Sequence, residues 1–282
     1  MSLFGSKPTF KFEIIFRLPE GKGLHHEGEI PDLILPPNGI RVKLKLINKV
    51  NLEGFDSLIL KAGDFPSENE ASKYASKITN SIYLSGLLLK KAFKIIEISI
   101  SEQGVLYLGG SGISSSSKPL DSFMQNFKKA VDLSYKLNDK QSLALELYNM
   151  SHFETSQRAK FITLISAIEC LSEQKERSNA IIAHLNDLGA ITNNSELDKS
   201  EKDSLLKNYE YLKKESHTAS CSKLIKEKLD KEAAEAFRKY YDIRGDIVHE
   251  GKPKEGIDLA NELSGLDNLV SKLLGAVISE SN

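Results

Sequence analysis

Two residues near the end of the chain, Arg244 and His249, have the side chains best suited to chemistry. An arginine carries a permanent charge on a planar fork that binds phosphate oxygens and stabilises charge in a transition state. A histidine, with an ordinary pKa of about 6.5, accepts or donates a proton near neutral pH. The pair suits phosphate binding and acid–base catalysis, provided that the fold brings both side chains to one site.

A helix predicted from about Lys231 to His249 must position this pair. Its apolar positions follow helical spacing and define a buried stripe, namely Ala233, Phe237, Tyr240, Ile243 and Ile247. Arg244 lies at the edge of this stripe, where a guanidinium needs a partner or a ligand. Five residues turn a helix by about 140° beyond a full circle, so the helix must end near His249 if the pair is to meet. The segment Gly251 to Pro253 predicts such an end.

The segment Tyr241 to Gly251 resembles the Arg-x4-6-His signature of the HEPN superfamily, in its Apea-like branch. An upstream helix, Arg158 to Leu171, and a closing helix after the motif extend the resemblance over roughly the last 140 residues. The resemblance implies an all-α, HEPN-like helical bundle that cleaves RNA without a metal or another cofactor. In that reaction the ribose 2′-hydroxyl attacks the adjacent phosphate and leaves a 2′,3′-cyclic phosphate.

The resemblance also assigns roles to individual residues. Arg244 and His249 match the catalytic pair, and Asp246 and Tyr241 are predicted to support it. Glu169 is predicted to support the pair for a separate reason, as an acidic neighbour that can orient the Arg244 guanidinium. Many catalytic members carry Asn, Asp or His directly after the arginine. Here that position is Gly245, and Asp246 is the candidate substitute, one residue further on.

Several other interpretations of these residues stay open. Arg244 could form a structural ion pair, for instance with Glu169, and His249 could simply cap the end of its helix. Gly245 favours a noncatalytic HEPN-type module that binds nucleotide or protein and regulates another activity. A purely structural dimerisation protein is a further alternative.

The resemblance implies partners as well. It predicts RNA as the substrate and a homodimer formed through the HEPN-like domain, in which two Arg244/His249 pairs create one positive cleft. It also suggests a role in anti-phage defence or in a toxin–antitoxin pair, with an antitoxin or a trigger protein as a further partner.

The predicted organisation is an α+β N-terminal module over residues 1–110, a linker at 111–118 and the helical domain over 119–282. Alternating apolar residues predict four strands, around Phe10 to Leu18, Ile40 to Leu46, Leu58 to Leu60 and Ile96 to Ile100. The segment Leu18 to Asn38 is predicted to be a loop. Ser67 and Glu70 form a capping-box pattern that begins a helix, and the first module is predicted to act as a sensor or to position substrate.

Composition restricts the remaining function classes. The formal net charge of −1 excludes a global positive field, so any nucleic-acid surface must be a local patch. The lysine-rich region from Glu196 to Lys239 is either a solvated helix face or a track for an RNA backbone. Cys170 and Cys221 form no metal-ligand pattern, and His25 and His26 stand without further ligands, so no metal site is predicted. Without an apolar segment of membrane-spanning length, we expect no membrane association and a cytoplasmic location.

Overall fold

A computed structural model describes residues 9–17, 33–35, 40–47, 57–102 and 118–280. The chain divides into two compact units, one of Met1–Ser156 with Val277–Asn282 and one of Gln157–Ala276. The first unit combines a sheet with helices and the second is helical, which confirms the predicted order of an α+β module followed by helices. Within the described ranges, no helix is long and apolar enough to cross a membrane.

The described residues of the first unit form an antiparallel sheet of five strands in the order β2-β3-β4-β1-β5. The strands are β1 (Phe10–Arg17), β2 (Leu33–Leu35), β3 (Ile40–Ile47), β4 (Ser57–Phe65) and β5 (Lys94–Glu102). The four predicted strands are confirmed. The prediction of an unbroken loop from Leu18 to Asn38 is wrong at β2, because three residues there pair with β3. A strand of three residues is too short to show an alternating pattern.

Within the described part of residues 1–156, three helices accompany the sheet, α1 (Glu68–Leu89), α2 (Lys118–Ser134) and α3 (Asp139–Ser151). Helix α1 begins where the sequence predicts, since the Ser67 hydroxyl accepts a hydrogen bond of 3.2 Å from the Glu70 N–H. Helix α2 contributes Phe123, Phe127 and Val131 to the same buried core as Phe12, Ile14 and Phe16 of β1. The helix is therefore an integral layer of the α+β unit.

Helix α3 also belongs to the first unit. The side chain of Asn149 accepts a hydrogen bond of 3.0 Å from the Phe93 N–H and donates one of 2.8 Å to the Phe93 carbonyl. The compact units divide after Ser156, whereas the predicted helical domain began at residue 119 and so included 119–156. Residues 111–117 of the predicted linker lie outside the described residues, and residue 118 is the first residue of α2. Helical spacing showed that α2 has an apolar face but could not show that this face covers the sheet.

The second unit contains six helices among the described residues, the last of which extends beyond Ala276. They are α4 (Gln157–Leu171), α5 (Asn179–Asn193), α6 (Lys199–Leu212), α7 (His217–Lys228), α8 (Lys231–Glu250) and α9 (Leu259–Ser279). Phe161 of α4 packs edge-on against Tyr240 of α8, with ring centroids 6.2 Å apart. This packing holds α4 beside the helix that carries the candidate pair.

Candidate functional site

Helix α8 is well defined at both ends. Its N-cap, Asp230, accepts a hydrogen bond of 2.7 Å from the Ala233 N–H. Its C-cap, Gly251, has a φ of 75°, a left-handed conformation that glycine adopts without steric cost. The buried stripe consists of Ala234, Phe237, Tyr240, Ile243 and Ile247. The helix therefore holds the candidate residues in a fixed register.

Arg244, Tyr241 and Glu169 form a cluster between α8 and α4. The Tyr241 hydroxyl donates a hydrogen bond of 3.0 Å to Glu169 Oε1. The same oxygen lies 3.9 Å from a terminal nitrogen of Arg244, and the Arg244 guanidinium carbon lies 5.7 Å from the centre of the Tyr241 ring. The structure thus brings together three of the five predicted site residues, including the ion-pair partner considered for Arg244.

The charge of Arg244 is only partly compensated within this cluster. A separation of 3.9 Å is longer than a charge-assisted hydrogen bond, which spans about 2.7–2.9 Å. Among the described residues, no hydrogen-bond acceptor meets the buried Nε of Arg244. With 29% of its side chain exposed, the arginine retains donors that can bind an anionic ligand.

Tyr241 acts as a neutral donor that orients the carboxylate. Burial raises the pKa of Tyr241 above its ordinary value, and the hydrogen bond to Glu169 and the charge of that carboxylate raise it further. The nearby Arg244 has the opposite, smaller effect. Tyr241 therefore stays protonated near neutral pH and donates to the Glu169 oxygen that lies nearest Arg244, so the two donors share the negative charge of that oxygen.

His249 lies in the last turn of α8 and is exposed. The helix ends shortly after it, as the glycine breaker predicts, but it continues to Glu250 and so includes His249. Five helical residues place His249 about 140° around the axis from Arg244. The helix of one chain therefore presents Arg244 and His249 on different sides.

Arg158, at the start of α4, contacts the end of α8. A terminal nitrogen of Arg158 donates a hydrogen bond of 2.6 Å to the carbonyl oxygen of Gly251. Basic side chains commonly satisfy the carbonyl groups left open at a helix C-terminus. Arg158 thereby fixes the turn that follows His249. No local pattern signals this contact, because the two residues are 93 positions apart.

Asp246 has a partner other than Arg244. One of its carboxylate oxygens lies 3.4 Å from the Nζ of Lys254, and 19% of the Asp246 side chain is exposed. A Cβ added at Gly245 would meet nothing within 4 Å, so the position beside Arg244 is open. Asp246 pairs with Lys254 in the loop after α8 and not with Arg244. That Asp246 takes the role of the polar residue missing at position 245 therefore stays a prediction.

The comparisons with known proteins add no family assignment. No family model, curated protein or solved structure matches this chain. Among the described residues, no group of three or more His, Cys, Asp or Glu side chains could hold a metal ion. His25 and His26 lie outside the described residues. The fold and the site define an α+β unit joined to a helical unit that carries an arginine–tyrosine–carboxylate cluster, and the HEPN resemblance stays a prediction.

Proposed function

We propose that this protein is a metal-independent endoribonuclease of HEPN type, in which Arg244 and His249 are the catalytic residues. The observation that supports the proposal most strongly is the state of Arg244. The side chain is oriented by Tyr241 and Glu169, yet it is partly exposed and lacks a close carboxylate partner. A guanidinium held in this way is prepared for a phosphate, because its orientation is already fixed and its charge remains available.

The proposed reaction needs no group beyond RNA, the protein and water. Arg244 stabilises the added negative charge on the phosphorus centre as the 2′-oxygen attacks. His249 accepts the 2′-hydroxyl proton or donates a proton to the departing 5′-oxygen, and water supplies or accepts the other proton. The phosphate–5′-oxygen bond breaks, and the products carry a 2′,3′-cyclic phosphate and a 5′-hydroxyl. Glu169 and Tyr241 are positioning residues that act through Arg244.

A second copy of the chain completes the proposed site. Because α8 separates Arg244 from His249 by about 140°, one helix alone does not direct both side chains at one phosphate. In a two-fold dimer formed through the helical unit, Arg244 of one copy can approach His249 of the other. Two such sites would lie in one cleft, which would concentrate positive charge in a chain with a net charge of −1.

The alternative function is a noncatalytic HEPN-type module that binds nucleotide or protein. Two observations favour it: Gly245 provides no polar side chain after Arg244, and Asp246 pairs with Lys254. In this alternative Arg244 would bind a phosphate without cleavage. The N-terminal unit would act as a sensor or positioning part in either case, and roles in anti-phage defence or with an antitoxin or trigger protein come from the resemblance alone.

Cleavage of single-stranded RNA in EDTA separates the two functions. The full chain should cut RNA, leave 2′,3′-cyclic phosphate ends and spare DNA of the same sequence, because DNA lacks the attacking hydroxyl. Arg244→Ala should lower the rate roughly 100-fold to 1,000-fold, as loss of a transition-state donor does. The matched variant Arg244→Lys keeps the charge but loses the planar fork, so it should recover only part of the rate. Phosphate binding by a well-folded chain that leaves RNA intact would support the binding module instead.

A further inference from the structure

We infer that a groove between α7 and α8 binds the phosphate groups of an RNA strand and directs that strand toward His249. The inference deepens the proposed function and rests on it for the identity of the strand. The groove has a volume of about 280 Å³. Its charged lining comprises Lys223 and Lys226 from α7 and Lys231, Glu235 and Arg238 from α8.

The charge of the groove favours an anion. Four cationic side chains and one carboxylate belong to residues that line the groove, which gives a local charge of +3, while the whole chain has a formal net charge of −1. The groove lies in the lysine-rich region from Glu196 to Lys239, for which the sequence alone allowed either a solvated helix face or a track for an RNA backbone. Clustered Lys and Arg side chains bind nucleic-acid backbones by releasing condensed counterions.

The cations of the groove are available to a ligand. Lys231 and Glu235 are 3.4 Å apart, but their side chains are 78% and 59% exposed, so their ion pair is weak and easily exchanged. Lys223, Lys226 and Arg238 are exposed as well. The Nε of Arg238 donates a hydrogen bond of 3.4 Å to the Ser222 hydroxyl, which leaves the other N–H groups of the guanidinium unused by this contact.

The lining predicts recognition of backbone rather than bases. The residues around the groove include alanine, serine, lysine, glutamate and arginine, but no aromatic side chain on which a base could stack. Contacts to phosphate position a strand and carry no sequence information of their own. The groove should therefore bind RNA of any sequence, and single-stranded DNA should bind to it as well.

The groove and His249 lie on the same side of α8. Lys231 and His249 are separated by five full helical turns, so they share one angular position, and Arg238 is only about 20° from it. Along the axis, His249 is about 17 Å beyond Arg238. A strand seated in the groove and continuing along this side would reach His249. The exposed Asp242 lies on this path and opposes the strand locally.

The experiment measures binding of the full chain to a fluorescein-labelled single strand with 2′-O-methyl riboses, which cannot be cleaved by 2′-hydroxyl attack. Lys223→Gln combined with Lys226→Gln should weaken binding roughly 25-fold at about 0.1 M salt and reduce the salt slope by about 1.4, if each lysine meets one phosphate. Glu235→Gln should strengthen binding several-fold. The matched control combines Lys199→Gln with Lys207→Gln on α6, which removes the same charge from exposed positions outside the groove and should leave affinity nearly unchanged.

The outcomes distinguish this inference from the proposed function. If the groove variant binds as the unmodified chain does while RNA is still cleaved, the groove assignment is wrong and the ribonuclease stands. If binding depends on the groove but RNA stays intact, the groove assignment stands and the ribonuclease fails. Three results would overturn the inference. The α6 control could lose as much affinity as the groove variant, or the unmodified chain could fail to bind the strand. The third is that polyglutamate binds in place of the strand and depends on the same groove lysines.

Discussion

Arg244 and His249 lie on one continuous helix, α8, about 140° apart around its axis. Arg244 faces Glu169 on α4, and His249 is exposed in the last turn. Because Gly251 and its contact with Arg158 hold the end of α8, His249 remains part of the helix. A site that uses both side chains therefore needs a substrate that spans two sides of α8 or a second copy of the chain.

The Tyr241–Glu169 hydrogen bond should control how strongly Glu169 competes with phosphate for Arg244. Tyr241→Phe removes that bond, so the carboxylate should bind Arg244 more closely and raise the KM for RNA by up to roughly fivefold. Glu169→Gln removes the competing charge and should lower KM, while looser orientation of Arg244 lowers kcat. Steady-state kinetics with both variants checks this. Changes of KM in the same direction for the two variants would argue against competition at Arg244.

A polar group in the first unit provides a prediction about stability. The Tyr135 hydroxyl is buried, and no hydrogen-bond partner meets it among the described residues. Because an unsatisfied buried hydroxyl costs about 1–3 kcal/mol, Tyr135→Phe should leave the free energy of unfolding unchanged or raise it. Tyr241→Phe is the matched control, since it breaks a hydrogen bond to a carboxylate and should destabilise the protein by roughly 1.5–3 kcal/mol. Urea unfolding measures the free energy of unfolding of both variants. A clear loss of stability in Tyr135→Phe would contradict the absence of a hydrogen-bond partner for the Tyr135 hydroxyl.

The same residue gives a pH dependence. Burial, with a smaller contribution from Tyr74, raises the pKa of Tyr135 from 10.0 to about 12. The unfolded chain then loses this proton first, so the free energy of unfolding does not change with this group below about pH 10 and falls as the pH rises toward 12. Tyr135→Phe should lose less stability than the unmodified chain over that interval. Urea unfolding midpoints of both proteins, measured between about pH 10 and pH 12, test this prediction. Equal losses of stability in the unmodified chain and in Tyr135→Phe would refute it.

The place of α2 in the core predicts how fragments of the chain behave. A fragment of residues 1–118 lacks Phe123, whose ring centroid lies 5.8 Å from that of Phe16 and 5.3 Å from that of Phe93. This fragment should fail to fold, because the apolar face of the sheet and α1 would stay uncovered. A fragment of residues 1–156 should unfold cooperatively. Circular dichroism with urea titration compares them, and a stably folded 1–118 fragment would restore the boundary predicted at the linker.

Local patterns predicted much of the fold because their causes are local. Alternation in β1 identified Phe12, Ile14 and Phe16 as its buried side, and Gly251 correctly marked the end of α8. The pairing of Arg244 with Glu169 could also be anticipated, since a guanidinium at the edge of a buried stripe needs an acidic neighbour.

Other features depend on contacts between distant residues and could not be predicted in this way. The apolar stripe of α2 is compatible with a helical bundle or with a sheet, and only the fold shows that Phe123 and Phe127 join the sheet. No local sequence pattern predicts the hydrogen bond from Arg158 to Gly251, because the two residues are 93 positions apart. The angle between Arg244 and His249 around the axis of α8 depends on whether the helix extends to His249. Sequence patterns locate a helix end only to within a few residues, so this angle could not be predicted.

Mixed dimers test the central claim most directly. Arg244→Ala and His249→Ala chains carrying different affinity tags are coexpressed, and dimers containing one chain of each are purified and assayed on RNA in EDTA. If Arg244 of one copy acts with His249 of the other, each mixed dimer has one intact site of two and should show about half of the unmodified activity. Dimers of either variant alone should be nearly inactive, and matching circular dichroism spectra would establish that all of them are folded. Mixed dimers as inactive as both parents, beside an active unmodified dimer, would contradict a site shared between two copies.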